Sequence, residues 1–393
     1  MAGDGDRRAL STRLIHAPKD DPETFDALTV PVHRGSTVKF ATLADHDHPR
    51  RGQYRYGLHG TPTHRALAQR IAAIEGAPHV VLAPSGLAAI ALAFLTYARA
   101  GGHLLLPANA YGPTTELAEG LLAGLGVETE LYDPLAGAAI SALIRDETFL
   151  VWCESPGSIT MEVQDVPAIA AAARARGVPV GIDNTYGAGL LFDAFAAGCD
   201  LSVQALTKYQ GGHSDVLMGS IATRDEAHAR RIERMAMLLG MGVSPDDCSL
   251  VLRGLKTFDL RLRHIGESAL AVARWLEKRA EVTALLHPAF ADCPNHDIWR
   301  RDWSGSAGLF SIILGNWRRE QVVRFVEALA LFDIGFSWGG ANSLVTTYAD
   351  LSRPSPELGP LLVRLNIGLE EPADLIADLE QALDQAGAQA SSR

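Results

Sequence analysis

Beyond residue 60 the chain alternates short apolar or β-branched runs with longer stretches of helical periodicity. HVVLA (79–83), HLLLPA (103–108), ETELYD (128–133), TFLVWCES (148–155), VPVGIDN (178–184), DLSVQAL (200–206) and LMGSIAT (217–223) predict strands. Between them, stretches such as THRALAQRIAAIEGA (63–77) and AIAAAARARG (168–177) predict helices. That alternation is the pattern of a mostly parallel α/β sheet covered on both faces. Near residues 240–260 the pattern changes. One long helix is expected from Pro245 to Leu276, then strand-like LFSIIL (309–314), a helix REQVVRFVEAL (319–329), and strand-like SLVTTY (343–348) and LVRLNIG (362–368). A closing helix, EPADLIADLEQAL (371–383), carries acids near its start, where the helix dipole favours them. The expected division is an arm over 1–60, a large α/β domain over 61–250 and a smaller α+β domain over 251–393, with a frayed tail from Gly387. The arm is polar and weakly periodic, the kind of segment that packs on a neighbouring subunit.

Composition narrows the class of protein. A chain of 393 residues exceeds a single core. Its net charge of −11 argues against nucleic acid or another polyanion as partner. Cys153, Cys199, Cys248 and Cys293 are widely spaced and form no CxxC pair, so buried free thiols in a reducing compartment are expected rather than disulfides or zinc ligands. HDHPRR (46–51) reads as a solvated turn, and no metal site is expected. No run approaches the roughly 18 apolar residues of a membrane span, and MAGDGDRRAL lacks a signal-peptide core. A cytoplasmic protein without a membrane partner is the expectation.

Ligands of open parallel sheets bind beyond the carboxyl ends of the strands, so the residues after each apolar run carry the chemistry. Pro84-Ser85-Gly86 turns from a strand into a helix, leaving the N–H groups of Gly86 and Leu87 free for a phosphate, although a Ser-Gly helix start is more often a simple cap. Tyr111 follows a strand end and precedes a Gly-Pro turn, a place from which it can stack on a flat ring. Asp183 ends an apolar strand, where a carboxylate needs a cation or a strong donor. Lys208, one of only five lysines among 35 basic side chains, ends the strand run LSVQAL beside Thr207; desolvation there would make it a nucleophile and base. Each residue alone has an ordinary structural reading. Together, a phosphate cradle, an aromatic, an acid and a lysine on successive strand ends meet the requirements of pyridoxal 5'-phosphate.

With these residues the chain resembles the Cys/Met-metabolism family of pyridoxal-phosphate enzymes. The match runs from Thr12 to Leu379, and its most specific pieces are ESPGSITMEVQDVPAI (154–169), TKYQGGHSD (207–215), SWGG (337–340) and RLNIGLE (364–370). The resemblance implies a fold-type-I transferase-like fold. It implies that Lys208 holds the cofactor and moves protons, Asp183 pairs with its pyridine nitrogen, and Tyr111 stacks on its ring. It also implies that Gly86, Leu87 and Thr207 bind phosphate, that Arg364 grips a substrate α-carboxylate, and that Ser337 and Trp338 flank it. Tyr56 would reach the phosphate of an adjacent subunit, in a homotetramer built as a dimer of dimers. Two departures stand out: Leu58 replaces an arginine that clamps the phosphate in relatives, and Ala205 replaces a serine.

Within the family the chain is most similar to carbon–sulfur lyases that split an amino-acid thioether by β-elimination, giving homocysteine, pyruvate and ammonia from L-cystathionine. The γ-eliminating and γ-replacing members and the sulfhydrylases usually have leucine at the position of Trp338, and many have Asn-Pro at Gly157-Ser158. A regulator that keeps the cofactor without turnover is the rival from another class. A dinucleotide oxidoreductase lacks support, since no GxGxxG follows the first strand.

Overall fold

The computed structural model describes residues 8–16, 27–50 and 52–388. Ala17 of the family match, Arg51 of the 46–51 turn and the tail from 389 therefore lie outside the described residues. Among its described residues the arm contains two short α-helices, α1 (Leu10–Ile15) and α2 (Leu43–Asp47). Part of it packs on its own chain: Leu14 is buried, and its carbonyl accepts from Arg70 at 3.4 Å. Arg70 belongs to α3 (Pro62–Glu75).

The large sheet holds β1 (His79–Ala83), β2 (His103–Pro107), β3 (Glu128–Tyr132), β4 (Thr148–Glu154), β5 (Val180–Asp183), β6 (Leu201–Ala205) and β7 (Gly219–Thr223). Each coincides with one of the apolar runs. Their order is β1-β7-β6-β5-β4-β2-β3, and β7 alone runs antiparallel, to both β1 and β6. Every residue of β2 and β4 is buried, which is why these runs are continuously apolar rather than alternating. The helices α4 (Gly86–Tyr97), α5 (Gly112–Leu117), α6 (Val166–Ala175) and α7 (Glu226–Leu238) follow in chain order.

The expected single helix over 245–276 is two, α8 (Pro245–Leu255) and α9 (Phe258–Leu276). The cause is tertiary. Gly254 lies so close to the loop after Lys208 that any Cβ there would overlap the carbonyl oxygens of Gln210 and Gly211. At the break, the buried Arg261 donates to the carbonyls of Gly254 and Tyr209, each at 2.9 Å, and to Thr257 Oγ1 at 3.1 Å. One guanidinium thus ties the end of α8 to the Lys208 loop.

A second sheet holds β8 (Ala284–Leu286), β9 (Leu309–Ile313), β10 (Asp333–Ile334), β11 (Leu344–Thr347) and β12 (Leu362–Asn366), in the order β10-β11-β12-β9-β8. Between β8 and β9 lies α10 (His296–Asp302). The helices α11 (Arg319–Ala328) and α12 (Pro372–Ala388) pack with α9 on this sheet, joining Val272, Phe325, Leu379 and Leu383 to Phe310, Val345 and Leu365 in one core. All four cysteines are buried and free. Among the described residues no helix is long and apolar enough to cross a membrane, and no cluster of three or more His, Cys, Asp or Glu could hold a metal.

Candidate active site

A cavity of about 480 Å³ opens at the carboxyl ends of β4, β5 and β6, and the second sheet supplies its other wall. Gly86, Leu87, Tyr111, Asp183, Thr207, Lys208, Trp338 and Arg364 all line it. Ser337 touches it through Lys208, whose Nζ donates to Ser337 Oγ at 2.8 Å. Tyr56 stands apart: it is half-exposed, forms a bridge with Thr37, and lies outside this cavity.

At one end Ser85 caps α4 by accepting the Ala88 N–H at 3.0 Å. The N–H groups of Gly86 and Leu87 therefore face the cavity without an acceptor among the described residues. Gly86 presses on β6, where an added Cβ would come within 2.6 Å of Ala205 Cβ. Thr207 lines the same end, with its hydroxyl already engaged. It donates to the Met218 carbonyl at 3.2 Å and accepts the Met218 N–H at 3.0 Å.

In the middle, Lys208 is half-buried under the SWGG loop. Gly339, at φ +79°, lies so near that an added Cβ would come within 3.1 Å of Lys208 Cβ, and its N–H is anchored by Asn366 Oδ1 at 3.0 Å. Lys208 Nζ sits 5.2 Å from the Trp338 ring centroid. Burial first, then the charge of Arg364, pushes the ammonium down to about 8 against the pull of Asp183. Asp183 accepts the Thr185 N–H at 2.9 Å. Burial raises its carboxyl, while the two hydrogen bonds from Thr185 and the charge of Lys208 favour the anion. Arg364, on β12, is buried and meets backbone carbonyls, of Phe336 at 2.7 Å and Ser158 at 3.4 Å; no carboxylate among the described residues pairs with it. Tyr348 lies beneath it, with the guanidinium carbon 5.7 Å from its ring centroid.

Glu154, Tyr348, Asn366 and Arg261 were not read from sequence. Glu154 follows the strand-end rule and was open to it; Tyr348, Asn366 and Arg261 act through contacts between segments far apart in the chain and give no local signal.

The lowered amine carries a testable consequence. In cofactor-free protein labelled competitively with acetic anhydride and read by mass spectrometry, Lys208 is expected to reach half its limiting reactivity near pH 8. Exposed lysines follow at about pH 10.4. Arg364→Met removes a neighbouring cation, so the ammonium is favoured and the midpoint moves up. A Lys208 that titrates with the exposed lysines contradicts a desolvated amine.

A helix start with two free N–H groups, an acid, a lysine and an arginine held only by carbonyls line one cavity, the arrangement that a pyridoxal-phosphate enzyme of the fold-type-I class requires. The family model described as Cys/Met metabolism PLP-dependent enzyme matches residues 11–384, and the chain belongs to that family. It is similar to the cystathionine beta-lyase of Bordetella avium, 44% identical over 98% of this chain and 99% of the relative. The cystathionine beta-lyase MetC of Escherichia coli K12 is 39% identical over 95% of this chain and 98% of its own. Among solved structures, cystathionine gamma synthase from Xanthomonas oryzae in complex with aminoacrylate and cysteine superposes with a TM-score of 0.90 at 29% identity, covering 98% of this chain and all of that one.

The cavity fits the cofactor on its own chemistry. Two orphan N–H groups at a helix start suit its phosphate, a part-buried acid lines the middle, and the lowered amine lies within the field of that acid.

Proposed function

We propose that the protein is a carbon–sulfur lyase that cleaves L-cystathionine with one water to homocysteine, pyruvate and ammonia. The observation carrying this reading is a buried guanidinium, Arg364, that meets only backbone carbonyls and faces the same cavity as the deprotonatable Lys208. Pyridoxal phosphate supplies an electron sink that makes loss of the Cα proton, and then of the sulfur on Cβ, accessible near neutral pH.

The side chains do the rest. Arg364 exchanges its carbonyl partners for the substrate α-carboxylate, which its two N–H rows can grip at once. Ser337 and Trp338 hold the lysine and substrate from the same loop. Lys208 takes the proton from Cα. Tyr111 covers the ring and stays a neutral donor, since burial raises its phenol, and it serves the departing sulfur. Asp183 supports the pyridine nitrogen as an anion. Gly86 and Leu87 hold the phosphate, and Thr207 joins them only by giving up its bond to Met218.

Tyr56, exposed and away from its own cavity, serves the site of an adjacent copy, and the protein works in the cytoplasm as a dimer of dimers. The arm at 1–60 then belongs to that interface, while the units at 61–250 and 251–393 enclose the cavity.

Incubation of the protein with cofactor and L-cystathionine, followed by separation of the keto acids, tests this. Pyruvate is the expected product. Release of 2-oxobutyrate instead would move the assignment to γ-elimination, and no turnover of cystathionine or L-cystine would favour a regulator.

A further inference from the structure

The cavity holds a second acid for which the reaction above has no use. Glu154 ends β4 and is buried at 6% exposure. In the parallel ladder it is the direct partner of Asp183 at the end of β5, so the two carboxyls stand on neighbouring strands, roughly 4.8 Å apart at the backbone, and both line the cavity. Its oxygen Oε2 accepts the Tyr111 N–H at 2.8 Å, and its own N–H is held by Gln164 Oε1 at 2.8 Å.

Two carboxyls this close, Glu154 buried and Asp183 partly so, cannot both be ionised at moderate cost. Their surroundings decide which one carries the charge. Asp183 has two donors from Thr185 and the attraction of Lys208. Glu154 has one backbone donor, and the charge of Asp183 acts on it in the opposite sense. Tyr111, Glu116 and Arg364 also line the cavity; Arg364 acts on Lys208 and Tyr111, and Glu116 on Tyr111.

We propose that Glu154 and Asp183 act as a carboxyl pair with a single negative charge, Glu154 being the neutral member, and that Glu154 is a positioning residue. It fixes the Tyr111 backbone over the cavity while leaving the anion to Asp183. This rests on the pyridoxal-phosphate reading of the site only for the use made of Asp183; the protonation of Glu154 is a property of the chain alone.

Glutamine has the shape and neutrality of a protonated glutamate and keeps an acceptor for the Tyr111 N–H; leucine is neutral but has no acceptor. Infrared difference spectra between cofactor-free wild type and Glu154→Gln at pH 7 are expected to show the carbonyl stretch of a protonated carboxyl in the wild type and its loss in the variant. A difference spectrum showing only loss of ionised carboxylate bands overturns the proposal, whatever the protein turns over. In the loaded enzyme, Glu154→Leu is expected to lower kcat/KM for cystathionine by about tenfold, the worth of one buried hydrogen bond. Glu154→Gln recovers most of that loss. Equal losses in both variants mean that the negative charge of Glu154 is what matters, and the proposal fails while the lyase assignment stands. The thermal unfolding of cofactor-free protein gives a third readout. A carboxyl raised by folding contributes stability below its unfolded value near 4.5 and loses it as pH rises toward the folded value. Wild type is therefore expected to lose stability above pH 5 relative to Glu154→Gln, and parallel pH profiles overturn the assignment.

Discussion

Lys208→Ala is expected to release pyruvate from cystathionine about 10⁴-fold more slowly than the wild type, the upper range for removing a positioned acid–base group. The same protein is expected to unfold, without cofactor, at a temperature equal to or above that of the wild type. Both expectations come from one feature. The ammonium of Lys208 is costly in its half-buried place beside Arg364, which is why its amine is free near pH 8 and able to take a proton from carbon. Alanine removes that cost along with one hydrogen bond to Ser337. Lys208→Arg separates charge from chemistry, since guanidinium does not lose its proton in this pH range, and it is expected to be as inactive as alanine. Borohydride reduction of loaded wild type, followed by peptide mapping, is expected to leave the cofactor on Lys208. A Lys208→Ala protein with full turnover would sink the reading.

The seven strands of the large sheet were legible as short apolar or β-branched runs, and β2 and β4, buried along their whole length inside a mostly parallel sheet, stand out in any window. The second sheet was half legible. β9, β11 and β12 have four or five residues and alternate or run apolar, whereas β8 and β10, with three and two, are too short to carry a period. The break between α8 and α9 was invisible for a different reason. Nothing local at Lys256 and Thr257 stops a helix, and the turn follows from the contact of Gly254 with the Lys208 loop and from the hydrogen bonds of Arg261.

The site shows the same division. Residues at strand ends, such as Asp183 and Lys208, could be found because their position in a parallel sheet is itself a signal. What each hydroxyl or carboxyl does there depends on partners distant in sequence. The hydroxyl of Thr207 is engaged by Met218, 11 residues later in the chain. Glu154 stood inside a motif already singled out, yet its interest arises only from the register that places it beside Asp183.

Arg364→Met is expected to lower kcat/KM for cystathionine by about 10³-fold, within the range for truncating one partner of a buried charge pair, with most of the change in KM. The argument starts from the free protein. Arg364 is a buried cation held by two carbonyls, so its desolvation is compensated only in part until a carboxylate arrives. Binding a substrate whose α-carboxylate spans both N–H rows converts that deficit into affinity and fixes Cα relative to Lys208. Arg364→Lys keeps the charge but not the fork, and is expected to fall between methionine and wild type. The strand itself is not at risk, because the backbone of Arg364 stays paired with Ser311 of β9 and Thr346 of β11. A substrate analogue whose α-carboxylate is replaced by a carboxamide completes the cycle. With wild type it is expected to lose about as much as the methionine variant loses with cystathionine, and with the variant to lose little more. If the two losses add in full, the α-carboxylate is held elsewhere and Arg364 serves only the loop that carries Phe336.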